Sequence, residues 1–395
     1  MSWAQGLIAD RARGLDASGI RRIFDLGAKL ADPINLSIGQ PDFPVPDAVK
    51  AAAIDAIESD LNGYTPTQGA HAIRESVTAS LKRDLDWDVD GGDRSLLITS
   101  GTSGALVLAA MAMLNPGDRY VIGDPYFVLY PALASLTDAR VDLCDTGDGL
   151  RLTAERVEPL LTERTKFVLH NSPSNPGGVV STREECAELA ELCRSRGVML
   201  ISDEIYDEFV FDESRTDVAA GDAAWTRPPS AARLGGDASD GVLLIRGFGK
   251  TYGLTGWRMG YAAGPTPLIE QMAKLQQFTY VCAPSIAQHA CVACGDVDMS
   301  RHVAEYQARR DLVLERLSPV TSLPTPGGAF YAFVKVPEHL GMSGTAFAEA
   351  AIERNVLTIP GGVFSQRDDY IRLSFAAPRA RLEAGLEIIA DMMRG

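Results

Sequence analysis

Short apolar stretches of strand length alternate with helical stretches from about residue 46 to residue 278, and this alternation restricts the fold more than any other feature of the sequence. Apolar strands separated by helices predict a mostly parallel sheet that helices cover on both faces. Ligands of such sheets bind beyond the carboxyl ends of the strands. Ser181 and Glu184 have the spacing of a capping box at the start of the fourth helix. The predicted strands are 96–99, 120–122, 141–143, 167–170, 198–202, 242–246 and 259–263, and the predicted helices are 48–58, 70–85, 105–114, 182–196 and 267–278.

The pattern changes after about residue 284 and predicts a smaller α+β domain. We therefore expect an N-terminal arm (1–44) that joins the small domain, a large domain (45–284) and a small C-terminal domain (285–395). The elements predicted for the small domain are a helical region at 286–317, a strand at 329–336, a helix at 344–354, short strands at 356–359 and 370–375, and a final helix at 381–393.

The charge of the chain bears on its partners. Its 395 residues carry a net charge of −15, which repels nucleic acid and anionic membrane surfaces. The longest apolar stretch, 105–114, is too short to span a bilayer, and the N-terminus lacks a signal-peptide core, so we expect a cytoplasmic protein. Cys291 and Cys294 form an isolated CxxC and the histidines show no ligand spacing, so we expect no metal site.

Several predicted strands are followed by segments that suit a ligand. The turn SGTSG, residues 100–104, opens a helix and so presents unpaired backbone N–H groups, to which Thr102 and Ser103 add hydroxyls. Phe127 follows the next strand and could stack on a flat ring. Asn175 lies in the proline- and glycine-rich loop NSPSNPGG and offers an amide. This edge of the sheet therefore suits a ligand with a phosphate and a flat heterocycle.

Charged side chains follow the later strands. Asp203 stands at a strand end, where it could pair with a protonated ring nitrogen, and Tyr206 lies one helical turn further on. Lys250 and Arg258 lie in the glycine-rich stretch RGFGKTYGLTGWRMG. A lysine can form a Schiff base, and an arginine can clamp a phosphate as a planar, permanently charged fork. Each residue alone could be an ordinary core or surface residue, but their order at successive strand ends favours a binding site.

These segments together resemble the class I/II pyridoxal-phosphate aminotransferases of fold type I. The resemblance runs from NLSIGQPDF at 35–43 to IRLSF at 371–375, and the most specific blocks are 171–178, 202–206 and 250–261. It implies a mostly parallel central sheet between helices, a smaller α+β domain, pyridoxal 5′-phosphate as cofactor, and amino transfer between an L-amino acid and a 2-oxo acid.

The resemblance also implies roles around the cofactor ring. Lys250 would form the Schiff base and shuttle the proton, and Asp203 would keep the ring nitrogen protonated. Asn175 and Tyr206 would bond the phenolate oxygen, and Phe127 would stack on the ring.

Further roles concern the phosphate and the substrate. Tyr64 would reach the phosphate of a neighbouring subunit, which implies a homodimer with shared sites. Arg372 would bind the substrate α-carboxylate, with Gly39 and Asn175 beside it. The phosphate ligands within one subunit would be Gly101, Thr102, Ser103 and Arg258.

Two departures from the family pattern affect these expectations. Gly247 and Gly249 stand where many relatives have a phosphate-binding serine, so the phosphate would depend more on Arg258 and the 101–103 turn. Ser103 stands where similar bacterial aspartate aminotransferases often carry a lysine for the distal carboxylate. Neutral or aromatic amino donors are therefore favoured, and aspartate remains possible.

Two alternatives remain open at the level of sequence. A C–S β-lyase on the same scaffold would use the same lysine, aspartate and arginine. A non-catalytic ligand sensor of the kind fused to DNA-binding domains is disfavoured, because such proteins show a basic surface and this chain has a net charge of −15.

Overall fold

The computed structural model describes residues 3–15, 27, 30–89, 92–215, 217–218, 226–233 and 240–395. Its helices are α1 Trp3–Gly6, α2 Asp10–Arg13, α3 Asp47–Glu58, α4 His71–Leu85, α5 Gly101–Met113, α6 Leu129–Thr137, α7 Ala154–Val157, α8 Arg183–Ser195, α9 Thr266–Thr279, α10 Ser285–Cys291, α11 Ser300–Leu317, α12 Gly344–Glu353 and α13 Arg379–Arg394. Its strands are β1 Ile34–Asn35, β2 Arg94–Ser100, β3 Arg119–Asp124, β4 Arg140–Asp145, β5 Thr165–Asn171, β6 Met199–Asp203, β7 Asp217–Val218, β8 Thr226–Arg227, β9 Val242–Gly247, β10 Met259–Pro265, β11 Tyr331–Lys335, β12 Val356–Leu357, β13 Ile359–Pro360 and β14 Tyr370–Ser374.

A seven-stranded sheet with the order β2-β10-β9-β6-β5-β3-β4 forms the centre of the molecule. Strands β9, β6, β5, β3 and β4 run parallel to one another, and β10 is antiparallel to both of its neighbours. The prediction of a mostly parallel α/β sheet is confirmed, and each strand predicted for this sheet is present.

Apolar side chains leave the sheet on both faces, as the continuous apolar strands predict. In β2, Leu96 and Ile98 pack in one hydrophobic cluster, whereas Leu97 between them packs in the cluster on the opposite face. The period of two residues along a strand produces this division. Helices cover both faces, so the ends of the strands are where a ligand can reach the sheet.

The helices predicted for the large sheet are present, with two corrections at helix starts, the first being that α5 begins at Gly101, four residues before the predicted start at residue 105. The capping box is formed by Thr182 and Glu185, so the prediction of Ser181 and Glu184 was wrong by one residue. Ser181 is buried, and its hydroxyl lies 2.9 Å from Nε2 of His170, so it is not available as a cap.

Helix α6 was not predicted because its sequence, LYPALASLT, contains Pro131. Proline is tolerated in the first turn of a helix, where its missing N–H has no partner to lose. The helix follows Phe127, and it brings Tyr130 to the end of the large sheet.

A second hydrophobic cluster surrounds an antiparallel sheet with the order β11-β14-β13 and helices α11, α12 and α13. The prediction of one helical region at 286–317 was wrong, because α10 ends at Cys291 and α11 begins at Ser300. The carboxylate of Asp298 accepts the Ser300 N–H at 2.8 Å, which stabilises the new helix start.

Residues 34–36 of the N-terminal segment pair with this second part of the molecule. Strand β1 pairs in parallel with β12, with Ile34 opposite Val356. The Leu36 carbonyl accepts the Ser374 N–H at 2.8 Å, so the segment also reaches the end of β14. Residues 38–43 then continue from this contact towards the large sheet.

A buried group of charges, which we call the Asp84 cluster, lies behind strands β6 and β9. Asp84 makes ion pairs with Arg227, Arg233 and Arg246. Arg246 also bonds Glu204, with Nη2 at 2.8 Å from the carboxylate. Glu204 directly follows Asp203, and Arg246 lies four positions before Lys250, so the cluster ties together the strand ends that carry these two residues.

No helix among the described residues is long and apolar enough to cross a bilayer. Within the same part of the chain, no group of three or more histidine, cysteine, aspartate or glutamate side chains could hold a metal ion.

Candidate active site

A cavity of about 500 Å³ opens at the carboxyl ends of the central strands, between the large sheet and the β11-β14-β13 sheet. It is lined by these predicted site residues: Gly39, Gly101, Thr102, Ser103, Phe127, Asn175, Asp203, Tyr206, Lys250, Arg258 and Arg372. Tyr64 is the predicted residue outside it, and its side chain is 87% exposed.

One corner of the cavity suits an anion. Helix α5 begins at Gly101, which has a φ of +69°, and Ser100 makes no side-chain cap, so the first N–H groups are available. The guanidinium of Arg258 lies over this turn, since a methyl group on Gly101 would come within 2.6 Å of its Nη2. A helix N-terminus beside a guanidinium is an arrangement that binds phosphate.

Asp203 lies at the end of β6 and is buried. Its carboxylate accepts the Tyr130 O–H at 2.8 Å and the Ile205 N–H at 3.3 Å. Burial raises the pKa of Asp203 to about 6, although these two hydrogen bonds and the positive charge of Lys250 oppose the rise. The Asn171 amide donates to the Asp203 carbonyl at 2.9 Å and so holds the backbone as well.

Lys250 follows β9 and points into the cavity, where its ammonium donates to the carbonyl of Gly39. Its Nζ lies 5.8 Å from the centre of the Phe330 ring. Among the described residues no carboxylate forms a salt bridge with Lys250, so this amine is free to react with a carbonyl compound once it is deprotonated.

Tyr206 and Asn175 lie between Asp203 and the smaller sheet. The Tyr206 hydroxyl donates to the hydroxyl of Tyr331 at 3.3 Å, and burial raises the pKa of Tyr206 well above its ordinary value. Asn175 is buried, and its side-chain oxygen accepts a hydrogen bond from Arg372 at 3.1 Å, which leaves its amide N–H groups for a ligand.

Arg372 is a buried cation on β14 that faces the cavity. Its second hydrogen bond goes to the Ser37 carbonyl at 2.9 Å, and its guanidinium lies 4.5 Å from the ring centres of both Tyr331 and Phe364. No carboxylate of the described chain pairs with it, and burial lowers its pKa. A buried guanidinium without a counter-ion suits a carboxylate ligand.

Sequence reasoning missed part of the lining. Tyr130 was missed with its helix, and Asn171 was passed over although it opens the NSPSNPGG loop. Tyr331 comes from a strand far along the chain, so no nearby motif marked it. The other additional lining residues are Ile38, Gln40, Ile205, Gly249, Thr255 and Met259.

The residues present fit pyridoxal phosphate. The glycine turn and Arg258 suit the phosphate of the cofactor. Lys250 suits its aldehyde group, and the buried Asp203 suits its ring nitrogen. A doubly covered α/β sheet with this set of residues at its strand ends defines a pyridoxal-phosphate enzyme of fold type I.

The chain belongs to the aminotransferase class I and II family, whose model matches residues 31–389. It is 36% identical over 387 residues to the putative aminotransferase YugH of Bacillus subtilis, covering 96% of each chain. It is 33% identical to a probable aspartate aminotransferase of Methanocaldococcus jannaschii, covering 98% of this chain and 100% of that protein. The crystal structure of an aspartate aminotransferase from Thermotoga maritima superimposes with a TM-score of 0.89 at 31% identity, over 98% of this chain and 100% of that one.

The protein is therefore a pyridoxal-phosphate-dependent aminotransferase, and the expected family, fold type and cofactor are confirmed. Other relatives are named for aspartate and for aromatic amino acids, so overall identity does not select the substrate. Because these relatives are named aminotransferases, the alternative of a C–S β-lyase gains no support.

Proposed function

We propose that this aminotransferase moves the amino group of a neutral or aromatic L-amino acid to a 2-oxo acid such as 2-oxoglutarate or pyruvate, with aspartate as an alternative donor. The observation that carries this proposal is the set of cations that the described residues place in the cavity, which are Lys250, Arg258 and Arg372. Each has a task at the cofactor or at the α-carboxylate, so none of the three remains for a second carboxylate. The remaining wall includes the apolar or aromatic side chains of Ile38, Ile205, Met259 and Tyr331.

The side chains divide the work of the reaction. Asp203 would accept the N–H of the cofactor ring, and the bound cofactor supplies the sink for electrons from the substrate Cα. Lys250 would take the proton from Cα and return it one carbon further on, as base and then as acid. Arg372 would hold the α-carboxylate, and Asn175 and Tyr206 would donate to the phenolate oxygen. These roles rest on the position of each side chain in the cavity.

We propose that the sites are shared within a homodimer. Tyr64 is 87% exposed, and Ile54, Ile57 and Leu61 nearby in the chain are 56%, 52% and 40% exposed. Neighbouring exposed apolar side chains favour contact with another protein surface. Mixing inactive Lys250→Ala subunits with Tyr64→Ala subunits should restore activity, because a mixed dimer contains one site with both residues intact. Activity that never exceeds the sum of the two variants would contradict shared sites.

We propose the predicted division into a large and a small domain, with the boundary near residues 295–299. Helix α10 packs against α3, and Cys291 and Cys294 belong to the hydrophobic cluster of the large sheet. Limited proteolysis should cut at 295–299 before it cuts at 284–285, and the opposite order would restore the original boundary. The cytoplasmic location expected from the sequence stays a prediction.

A panel of L-amino acids tests the proposed reaction. Each is added to the enzyme, and the absorbance of the lysine-bound cofactor is followed as it changes to that of the amine form. We expect neutral or aromatic donors to convert the cofactor faster than aspartate, with one 2-oxo acid formed per cofactor. Lys250→Ala should still bind the cofactor but should not convert it. Conversion by none of the amino acids would refute amino transfer, and faster conversion by aspartate would refute the proposed preference.

A further inference from the structure

Tyr130 is a lining residue of the cavity whose hydroxyl is directed at Asp203 and away from the space for substrate. The two side chains are each 3% exposed, and the hydroxyl lies 2.8 Å from Oδ2 of the carboxylate. Burial raises the pKa of Tyr130 far above its ordinary value, so the hydroxyl keeps its proton and acts as a donor.

The surroundings of Asp203 explain why this donor matters. Ile205 N–H reaches the other oxygen at 3.3 Å, a longer and weaker hydrogen bond. The charged or titratable groups around the carboxylate are Tyr130 from α6, Glu204 next in the chain, Lys250 from the loop after β9 and Tyr206. Burial and Glu204 favour a protonated Asp203, whereas Tyr130 and Lys250 favour the carboxylate.

When Lys250 is covalently bound to the cofactor, it contributes no ammonium charge. The Asp203 carboxylate then depends on its two hydrogen bonds, of which the one from the Tyr130 hydroxyl is the shorter and stronger. A carboxylate has about four lone-pair positions, so lone pairs remain for the N–H of the cofactor ring.

Tyr130 is itself held in place from behind. Its carbonyl accepts the Tyr120 O–H at 2.6 Å, and its ring meets the edge of Phe127 with the ring centres 5.6 Å apart. Tyr120 stacks on Phe167, with 4.8 Å between ring centres. The hydroxyl is therefore presented to Asp203 in a fixed orientation.

We propose that Tyr130 is a positioning residue for amino transfer, which acts through Asp203 by keeping the proton shared with the cofactor on the ring nitrogen. The proton can lie on the nitrogen, giving an ion pair, or on the carboxylate, giving a neutral pair. Tyr130 stabilises the ion pair because a hydroxyl donates a stronger hydrogen bond to a carboxylate than it donates to a neutral carboxylic acid. The inference rests on the proposed role of Asp203.

Tyr130→Phe in the holoenzyme, reconstituted with cofactor labelled with ¹⁵N in the ring, tests this. At neutral pH we expect the ¹⁵N resonance to move towards the unprotonated position, and the rate of the amino-acid half-reaction to fall about 10- to 100-fold. KM should change much less, since Tyr130 is aimed at Asp203. Tyr120→Phe is the matched control, because it removes a buried hydroxyl that bonds the backbone carbonyl of Tyr130 and not Asp203, while the contact with the Phe127 ring still orients the Tyr130 side chain. It should leave the resonance in place.

Two further variants make the result decisive. In an Asp203→Asn background, Tyr130→Phe should move the resonance no further. Replacing Tyr130 by 3-fluorotyrosine keeps the shape of the side chain and makes its hydroxyl a stronger donor. The ¹⁵N resonance should then move towards the protonated position. This variant also tests the inference if Tyr130→Phe fails to fold. An unchanged resonance in Tyr130→Phe, or the same shift in Tyr120→Phe, would overturn it. If Asp203→Asn leaves the ring nitrogen fully protonated, the proposed role of Asp203 fails instead.

Discussion

Replacing Arg372 by lysine keeps a positive charge in the cavity but removes the planar fork. The guanidinium has five N–H donors, of which one bonds Asn175 and one bonds the Ser37 carbonyl. Three donors therefore remain, and two of them can bind a carboxylate side by side. An ammonium has three donors on one atom, and the same two neighbouring oxygens would occupy two of them.

The size of the effect follows from this count. The lysine would lose at least one of the two charge-assisted hydrogen bonds to the α-carboxylate, each contributing about 1.5–3 kcal/mol. We therefore expect the rate constant of the amino-acid half-reaction at low substrate to fall about 10- to 150-fold. Cofactor affinity should stay close to wild type, because no cofactor contact is assigned to Arg372.

The assay is a stopped-flow measurement of cofactor absorbance with a fast amino donor. A simple alkylamine with the same side chain but no carboxylate serves as the control substrate. We expect it to react slowly with wild type and at the same rate with Arg372→Lys. A fall of less than threefold with the amino acid, or an equal fall with both substrates, would show that Arg372 does not bind the carboxylate.

Other expected outcomes concern specificity, cofactor binding and stability. Ser103→Lys should raise the ratio of aspartate to neutral-donor kcat/KM about tenfold or more by supplying a charge-assisted bond, and an unchanged ratio would contradict this. Gly101→Ala should weaken cofactor binding about 5- to 150-fold in a fluorescence titration, because alanine is strained at a φ of +69° and its methyl group would collide with the Arg258 guanidinium. Gly256→Ala is the control, since the space around Gly256 is open. Burial opposes ionisation of Asp84, but three arginines hold its pKa at about 2, so its contribution to stability is present above about pH 4 and is lost towards pH 2. Asp84→Asn should therefore lower the free energy of unfolding by about 3–5 kcal/mol at pH 7 and by less at pH 3 in urea unfolding, and an equal loss at both pH values would contradict the ion pairs.

The part of the fold built on short-range pattern could be predicted from the sequence. Strand β2 shows why, since Leu96, Leu97 and Ile98 form a continuous buried apolar run that is bounded by polar residues, with a glycine turn after the strand. Helix α6 could not be predicted in the same way, because its proline and its lack of charged residues hide a helical period. The start of α8 was shifted because the Ser181 hydroxyl bonds His170, eleven residues earlier in the chain, and the spacing of a capping box does not reveal that bond.

The residues of the candidate site also differ in whether the nearby sequence could predict them. Asp203 and Lys250 could be proposed because each follows an apolar strand in a distinctive block of sequence. Tyr130 and Tyr331 could not, because they reach the cavity through an unpredicted helix and through a separate sheet. Tyr64 was predicted from the resemblance, and its proposed role needs a second subunit.

The pairing of β1 with β12 bears on the order in which the protein can assemble during synthesis. The Ile34 N–H donates to the carbonyl of Asn355, and the Leu36 carbonyl accepts from the Ser374 N–H, so this early segment has its partners far later in the sequence. A nascent chain on the ribosome has made the glycine turn, Asp203 and Lys250 long before Leu36 can be seated. The loop that brings Gly39 to Lys250 is thus anchored only after residues 355–374 have been translated, and a ribosome-bound chain that has not reached them carries Lys250 without a closed cavity.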